Sequence, residues 1–100
     1  MARIEFAPEV FDDFDRILEH LVEFEVPDTH SRTREILAAL GLLTHSPNIG
    51  RKVKGGKREL VIGQGAHGYV ALYRFVSAAD TAFILAIRAQ REANYRDMDS

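Results

Sequence analysis

Two guanidinium groups and a phenol lie close together near the end of the chain. The stretch LAIRAQREANY, residues 85–95, begins as an apolar run and then places Arg88, Arg91 and Tyr95 within eight positions. Arginine suits phosphate because its planar fork presents donors in bidentate geometry, and tyrosine can stack on a nucleobase or transfer a proton. These residue types therefore suit recognition of a nucleic acid. They also occur at ordinary strand ends, where their stems cover apolar edges, and that interpretation stays open.

A second basic stretch, RKVKGGKR, runs from Arg51 to Arg58 with five cations and no acid. The net charge of −2 hides an uneven distribution, since residues 1–50 hold four cations against ten acids, whereas residues 51–100 hold nine cations against five acids. Local charge of this kind attracts anionic partners, although solvated loop cations would give the same pattern. The residues that we predict to bind a nucleic acid or another target are Arg51, Lys52, Lys54, Lys57 and Arg88.

Several other kinds of site have no basis in the sequence. Without cysteine, the chain has no thiol nucleophile, thiolate zinc site or disulfide. The four histidines show neither HxH nor HExxH spacing, so we predict no metal. The stretch GQGAHG, residues 63–68, lies between two predicted strands without the GK[ST] ending of a phosphate loop, so we predict no nucleotide cofactor. The sequence shows neither the apolar core of a signal peptide nor a run of ~20 apolar residues, which predicts a soluble, cytoplasmic protein without membrane contacts.

The first half of the chain predicts one strand and two helices. ARIEF, residues 2–6, alternates with the period of a half-buried strand. Pro8 suits a first helical turn, and early acids such as Asp13 suit the helix dipole, which together with the apolar periodicity predicts a helix near residues 8–24. A second helix follows the break at Pro27 and forms an antiparallel hairpin with the first. The predicted apolar stripes are Val10, Phe11, Phe14, Ile17, Leu18 and Leu21 in the first helix and Ile36, Leu37, Leu40 and Leu43 in the second.

The second half predicts three strands. RELVIG, GYVALYRFV and TAFILAIR are rich in β-branched and aromatic residues, and their connections are short enough for hairpins. They therefore form an antiparallel meander, with the opening strand beside the nearly all-apolar last strand in a direction that the sequence leaves open. The order β-α-α-β-β-β predicts an α+β fold with the helical hairpin packed on one face of a small, mainly antiparallel sheet. Because the first and third meander strands run parallel, Arg58 and Arg88 are expected at opposite rims.

The ordered motifs resemble a known family. ARIEFAPEVFDDFDRI, LAALGLLTHSPNIGRKV, RELVIG, YVALYRF and FILAIRAQREANY, in this order, resemble the RelE/ParE superfamily of bacterial toxins from type II toxin–antitoxin modules, over about residues 2–95. The resemblance implies one domain of residues 1–100 with the same β-α-α-β-β-β fold: a helical hairpin at about 8–44, a β meander at about 58–88 and a basic tail at 88–96. It further implies a cytoplasmic toxin of a plasmid-stabilisation module, neutralised by a cognate antitoxin whose disordered segment wraps around it in a hetero-oligomer.

This superfamily contains two activities. RelE-like members cut mRNA in the ribosomal A site, and ParE-like members poison DNA gyrase without being nucleases. RNA cleavage without a metal needs a base for the 2′-hydroxyl, an acid for the leaving oxygen and cations for the phosphate. If the chain is such a nuclease, the resemblance assigns the catalytic roles to Arg58, Arg91 and Tyr95.

Three departures separate this sequence from the nucleases of the RelE type. Val70 stands just after the tyrosine of the GY strand, where those nucleases tend to carry arginine. Ala89 replaces the usual histidine after Arg88, and the gap from Arg91 to Tyr95 is shorter. These departures predict a loss of cleavage, so we favour a ParE-like gyrase poison. A RelE-like mRNA endonuclease and an inactive interaction module of the same fold are the alternatives.

Overall fold

Two helices and five strands make up the part of the chain that the computed structural model describes, residues 1–23, 29–63 and 68–90. The elements are, in chain order, β1 (Arg3–Phe6), α1 (Pro8–Glu23), α2 (Thr29–Gly41), β2 (Arg51–Val53), β3 (Lys57–Ile62), β4 (Tyr69–Val76) and β5 (Thr81–Ala89). The predicted α+β class is confirmed. Neither of the described helices is long and apolar enough to cross a bilayer.

The five strands form one mixed sheet in the order β1-β5-β4-β3-β2. From β2 to β5 each strand runs antiparallel to the one before it, as in a meander. β1 pairs parallel with β5, from Arg3 opposite Thr81 to Phe6 opposite Ile84, which resolves the direction that the sequence left open. β5 thus lies between two strands, and this position explains why its first part is almost entirely apolar.

The short strand β2 is an addition to the predicted order. Three residues are too few to show the alternating pattern of a strand in the sequence. Pairing with β3 defines β2 as a strand, and in this pair Arg51 lies opposite Glu59. The connecting turn holds Gly55 and Gly56 at positive φ, 79° and 71°, a conformation that glycine adopts without strain. The basic stretch therefore folds as an edge hairpin, and we call residues 51–58 the basic hairpin.

A register shift changes which side chains of β5 face the helices. The pairing with β4 leaves Leu85 as an extra residue between Ile84 and Ala86. Side chains alternate between the two faces of a strand, and an extra residue reverses that alternation. As a result, Ile84 and Ile87 are both fully buried although they are three positions apart.

The core lies between the two helices and one face of the sheet. The buried face of α1 includes Val10, Asp13 and Ile17. This face is narrower than the predicted apolar stripe. Phe11 and Leu37, which the periodicity placed in the stripes, are 61% and 49% exposed. The apolar residues of the core are Val10, Ile17, Leu21, Ile36, Leu40, Leu43, Leu60, Ile62, Tyr69, Ala71, Tyr73, Ala82, Ile84 and Ile87.

The segment between α2 and β2 is fastened to the sheet by Tyr73 and Arg58. The buried Tyr73 hydroxyl donates to the carbonyl oxygen of Pro47 at 2.7 Å and accepts from the amide of Gly50 at 2.9 Å. The Arg58 guanidinium donates to the carbonyl oxygens of Asn48 at 3.0 Å and Gly50 at 2.8 Å. A Cβ at position 50 would lie 2.6 Å from Tyr73 Cε1, so this approach requires glycine. These contacts fix the point at which the basic hairpin begins.

Gly50→Ala is expected to destabilise the fold by about 1–3 kcal/mol, because the added methyl group overlaps the buried ring and hydroxyl of Tyr73. The measurement is the free energy of unfolding from a urea titration. Gly41→Ala is the matched control, since nothing lies within 4 Å of a Cβ there and its φ of −60° is helical. Alanine at position 41 is expected to be neutral or stabilising by up to about 1 kcal/mol. Equal effects at the two positions would contradict the close contact at Gly50.

Candidate functional site

Beyond the end of β1, side chains of α1 form hydrogen bonds with the backbone of β5. β1 pairs with β5 as far as Ile84, whereas β5 continues to Ala89. Further along β5, the amide of Ile87 donates to Oδ2 of Asp13 at 3.0 Å, and Arg16 donates to the carbonyl oxygen of Ile87 at 3.4 Å. Two helical side chains therefore supply the acceptor and the donor that a neighbouring strand would supply.

The Asp13 carboxylate also holds the guanidinium of Arg88. Asp13 Oδ1 lies 2.5 Å from Arg88 Nη1 and 3.1 Å from Arg16 Nη1, and 6% of the Asp13 side chain is exposed. Burial by itself raises the pKa of Asp13. The hydrogen bonds from the Ile87 amide and from the two arginines outweigh burial, so the pKa of Asp13 lies below its ordinary value of 3.8. Asp13 is therefore ionised at neutral pH, and we call it, with Arg16, Ile87 and Arg88, the Asp13 cluster.

The sequence carried a signal for Asp13 that our helix-dipole interpretation missed. Asp13 lies three residues after Val10 and four before Ile17, on the phase of α1 that is buried. An acid on an apolar phase requires a partner, because a buried charge without one is strongly unfavourable. Arg88, which we predicted to bind a target, is that partner.

Arg58 lies near the start of β3 and Arg88 near the end of β5, and each is bonded internally. Arg58 pairs with Tyr73 and Arg88 with Val70, so they are three residues apart along β4, about 10 Å. Their strand positions also face opposite sides of the sheet, since Tyr73 and Val70 are separated by an odd number of residues. Arg58 is bonded to two loop carbonyls and Arg88 to Asp13. The structure does not bring these two arginines together, in agreement with the rims expected from the meander.

The three predicted lysines share the basic hairpin. Lys52 and Lys54 are exposed and Lys57 is half-buried. None of the three has a hydrogen-bonding or ionic partner among the described residues. Their ammonium groups are therefore available to solvent or to a binding partner.

Two arginines lie close to these lysines, one at the start of the hairpin and one on β4. Arg51 forms an ion pair with Glu59 at 2.5 Å, and 72% of its side chain is exposed. Arg74, which the sequence analysis did not single out, is exposed and donates to the carbonyl oxygen of Gly55 at 2.7 Å. Its position on a different strand hid this contact, which only the pairing of the strands reveals. Arg74 adds a cation beside the turn of the hairpin.

Arg91 and Tyr95 lie outside the described residues, so their predicted roles stay predictions. In residues 1–23, 29–63 and 68–90, no three histidine or acidic side chains are grouped as metal ligands would be. The candidate site that the structure describes is therefore a basic hairpin at one edge of the sheet, with the Asp13 cluster holding the far end of β5.

Asp13→Asn is expected to lower the free energy of unfolding at neutral pH by about 3 kcal/mol, because it leaves the partly buried charge of Arg88, whose side chain is 20% exposed, without its carboxylate. A carboxyl whose pKa is lowered by folding stabilises the fold above its unfolded pKa, about 4, and ceases to do so as the pH falls through the folded value. Acidification below about pH 4 should therefore destabilise the parent protein more than Asp13→Asn. Urea titrations at several pH values measure both effects.

The matched control is Asp15→Asn, because Asp15 is exposed on the same helix. This variant is expected to change the free energy of unfolding by less than about 0.5 kcal/mol. If the variants at positions 13 and 15 were equally stable, the Asp13 cluster would not stabilise the fold.

Comparisons with known proteins identify the family. The sequence model of a family described as the ParE toxin of the type II toxin–antitoxin system, parDE, matches residues 4–94. The fold is similar to that in the crystal structure of the intact E. coli RelBE toxin–antitoxin complex, with a TM-score of 0.57 and 15% identity over 88% of this chain and 95% of that chain. At this identity the likeness shows the fold alone. Curated proteins gave no match. Because the family match spans nearly the whole chain, the protein belongs to the ParE toxin family of type II toxin–antitoxin systems.

Proposed function

We propose that the protein acts in the cytoplasm by poisoning DNA gyrase, without cleaving RNA, and that a cognate antitoxin neutralises it. The observation that carries this choice is the bonding of Arg58, whose Nη1 donates to two loop carbonyls and holds the guanidinium against the loop. A metal-free ribonuclease needs cations and proton-transfer groups that converge on one phosphodiester. With Arg58 used to fasten a loop, one of the three residues assigned to that chemistry has a structural task.

Val70 supports the same choice. RelE-type nucleases tend to carry arginine at the corresponding position, whereas here a buried valine lies opposite Val61 on one side and Arg88 on the other. Arg88 does not replace the missing cation, because its guanidinium is held by Asp13. The middle of the described sheet is therefore poorly equipped to hold a scissile phosphate.

A cognate antitoxin is the proposed partner. The RelBE structure contains a toxin together with its antitoxin, and the family to which this chain belongs is defined within toxin–antitoxin systems. Exposed aromatic side chains on α1 and β1 suit such a partner, since the rings of Phe11 and Phe6 lie 6.3 Å apart and are both exposed. Contiguous exposed apolar surface of this kind marks protein–protein contacts.

The purified protein is expected to inhibit DNA supercoiling by gyrase and to leave mRNA on translating ribosomes intact. Two assays, supercoiling of relaxed plasmid and cleavage mapping of ribosome-bound mRNA, measure these outcomes on the same preparation. Addition of the cognate antitoxin should restore supercoiling. Cleaved mRNA with normal supercoiling would show the nuclease alternative to be correct, and normal growth on expression without antitoxin would indicate the inactive interaction module.

Arg91→Ala is expected to abolish toxicity on expression and to leave the fold intact, because the sequence analysis places Arg91 among the residues suited to target recognition. Growth after induction and the circular dichroism spectrum of the purified variant are the two measurements. Arg96→Ala removes the same charge five positions further on and should retain toxicity. Loss of the folded spectrum in Arg91→Ala would show instead that this residue is structural.

A further inference from the structure

The lysines of this chain are concentrated at one place. All three of them, Lys52, Lys54 and Lys57, lie in the basic hairpin, and the other ten basic side chains counted with them are arginines. Lysine is a mobile, strongly hydrated point charge, whereas the planar fork of arginine suits fixed bonds. Six of the described arginines form fixed bonds of this kind. Their partners are carboxylates (Arg3, Arg16, Arg51, Arg88) or backbone carbonyls (Arg58, Arg74). The fold uses these arginines for internal contacts and leaves the lysine ammonium groups unbonded within the described residues.

The strand register places like charges opposite each other. Lys52 lies directly across from Arg58 in the β2–β3 pair, and like charges in that position destabilise a sheet. Residues 51–58 contain no acid, and the next acid along β3, Glu59, is already paired with Arg51. Lys52 therefore has no acid opposite it in the strand pair, and its charge is available for a contact outside the fold.

The lysines surround the edge of the sheet on both faces. Successive residues of a strand point to opposite faces, and Lys57 precedes Arg58, which shares its face with Lys52. Lys52 and Lys57 therefore belong to opposite faces of the hairpin. Lys54 lies between them at a turn whose next two residues, Gly55 and Gly56, have no side chains. The result is a narrow edge with positive charge on both sides and little bulk at its tip.

We propose that the basic hairpin docks on the phosphate backbone of duplex DNA. The identity of that duplex rests on the proposed function, under which it is the DNA that gyrase holds. Unbonded point charges at irregular spacing neutralise phosphates without reading bases. An acidic protein surface is the other class of partner. Bidentate arginine forks suit carboxylates and phosphates alike. Arg51 and Arg58 both donate within the fold, so the unbonded cations of this edge are lysines, which bind phosphate as point charges.

Binding to a fluorescent duplex of about 20 base pairs tests the inference directly, with anisotropy measured over a range of salt concentrations. The combined variant Lys52→Gln, Lys54→Gln, Lys57→Gln is expected to bind at least about tenfold more weakly, and the slope of log K against log salt should fall by about 0.9 for each phosphate that the variant no longer neutralises. The single variant Arg34→Gln, at an exposed position of α2, removes one charge away from the hairpin. It should bind like the parent, unlike each single lysine variant.

Stability separates a binding role from a structural one. Lys52→Gln is expected to bind the duplex more weakly while its urea midpoint stays equal to that of the parent or rises, because the variant removes a like-charge pair. A lower midpoint would show that Lys52 supports the fold and would overturn the inference. So would an unchanged affinity in the combined variant, or equal competition by poly-glutamate, which would indicate an acidic protein partner.

Lysine acetylation extends the test to the gyrase complex. Because every lysine lies in the hairpin, mass spectrometry after mild acetylation reports on this surface, and gyrase with DNA should protect it. If the parent protein does not inhibit gyrase, the proposed function fails. The duplex-binding assay still tests whether the basic hairpin binds DNA. If the parent inhibits gyrase and the combined lysine variant inhibits it equally, the hairpin inference fails and the gyrase proposal stands.

Discussion

The carboxylate of Asp13 is the contact on which the arrangement of this fold depends. It accepts from the backbone of β5 and from arginines of α1 and β5, so it joins the first helix to the last strand. A strand edge with unpaired amides and carbonyls invites foreign pairing, and β1 is too short to cover the end of β5. A buried charge is unfavourable unless its partners are complete, and here both carboxylate oxygens are bonded. The position of α1 and the course of β5 are therefore set by the same few bonds.

The strand register separates Arg88 from the basic hairpin. The basic hairpin is fastened by Tyr73 and Arg58 near the middle of β4, while β5 ends at Ala89, opposite Tyr69 at the start of β4. Four residues of strand separate Tyr69 from Tyr73, about 13 Å. Groups that cut a phosphodiester must act within hydrogen-bonding distance of it, whereas contacts to an extended target gain from being spread out. Arg58 and Arg88, which are bonded at different positions along the sheet, do not meet at one such point.

Much of this fold could be predicted from the sequence, because apolar residues recur at helical spacing, most clearly in α1, and the meander strands are rich in β-branched and aromatic residues. The strand β2 and the extra residue Leu85 could not be predicted, because both arise from pairing between strands and leave no local pattern. The side chains of the basic hairpin's lysines have no hydrogen bond or ion pair with the described residues. Arg88 looked equivalent to them in the sequence, but the register of β5 and the buried phase of α1 bring it to Asp13. Spacing along a chain identifies cations, whereas the carboxylate or carbonyl that each one meets depends on the tertiary fold.

The sheet order constrains how an antitoxin could cover such a toxin. The exposed aromatic pair lies at the β1 edge and the basic hairpin at the β2 edge, with the whole sheet between them. Four strand intervals of about 4.8 Å amount to about 19 Å, which an extended segment of about six residues spans. A short disordered segment anchored on the aromatic pair could therefore reach the hairpin. Such a segment gains contacts with both regions while ordering few residues, and each residue that stays disordered avoids an ordering cost of about 1–2 kcal/mol.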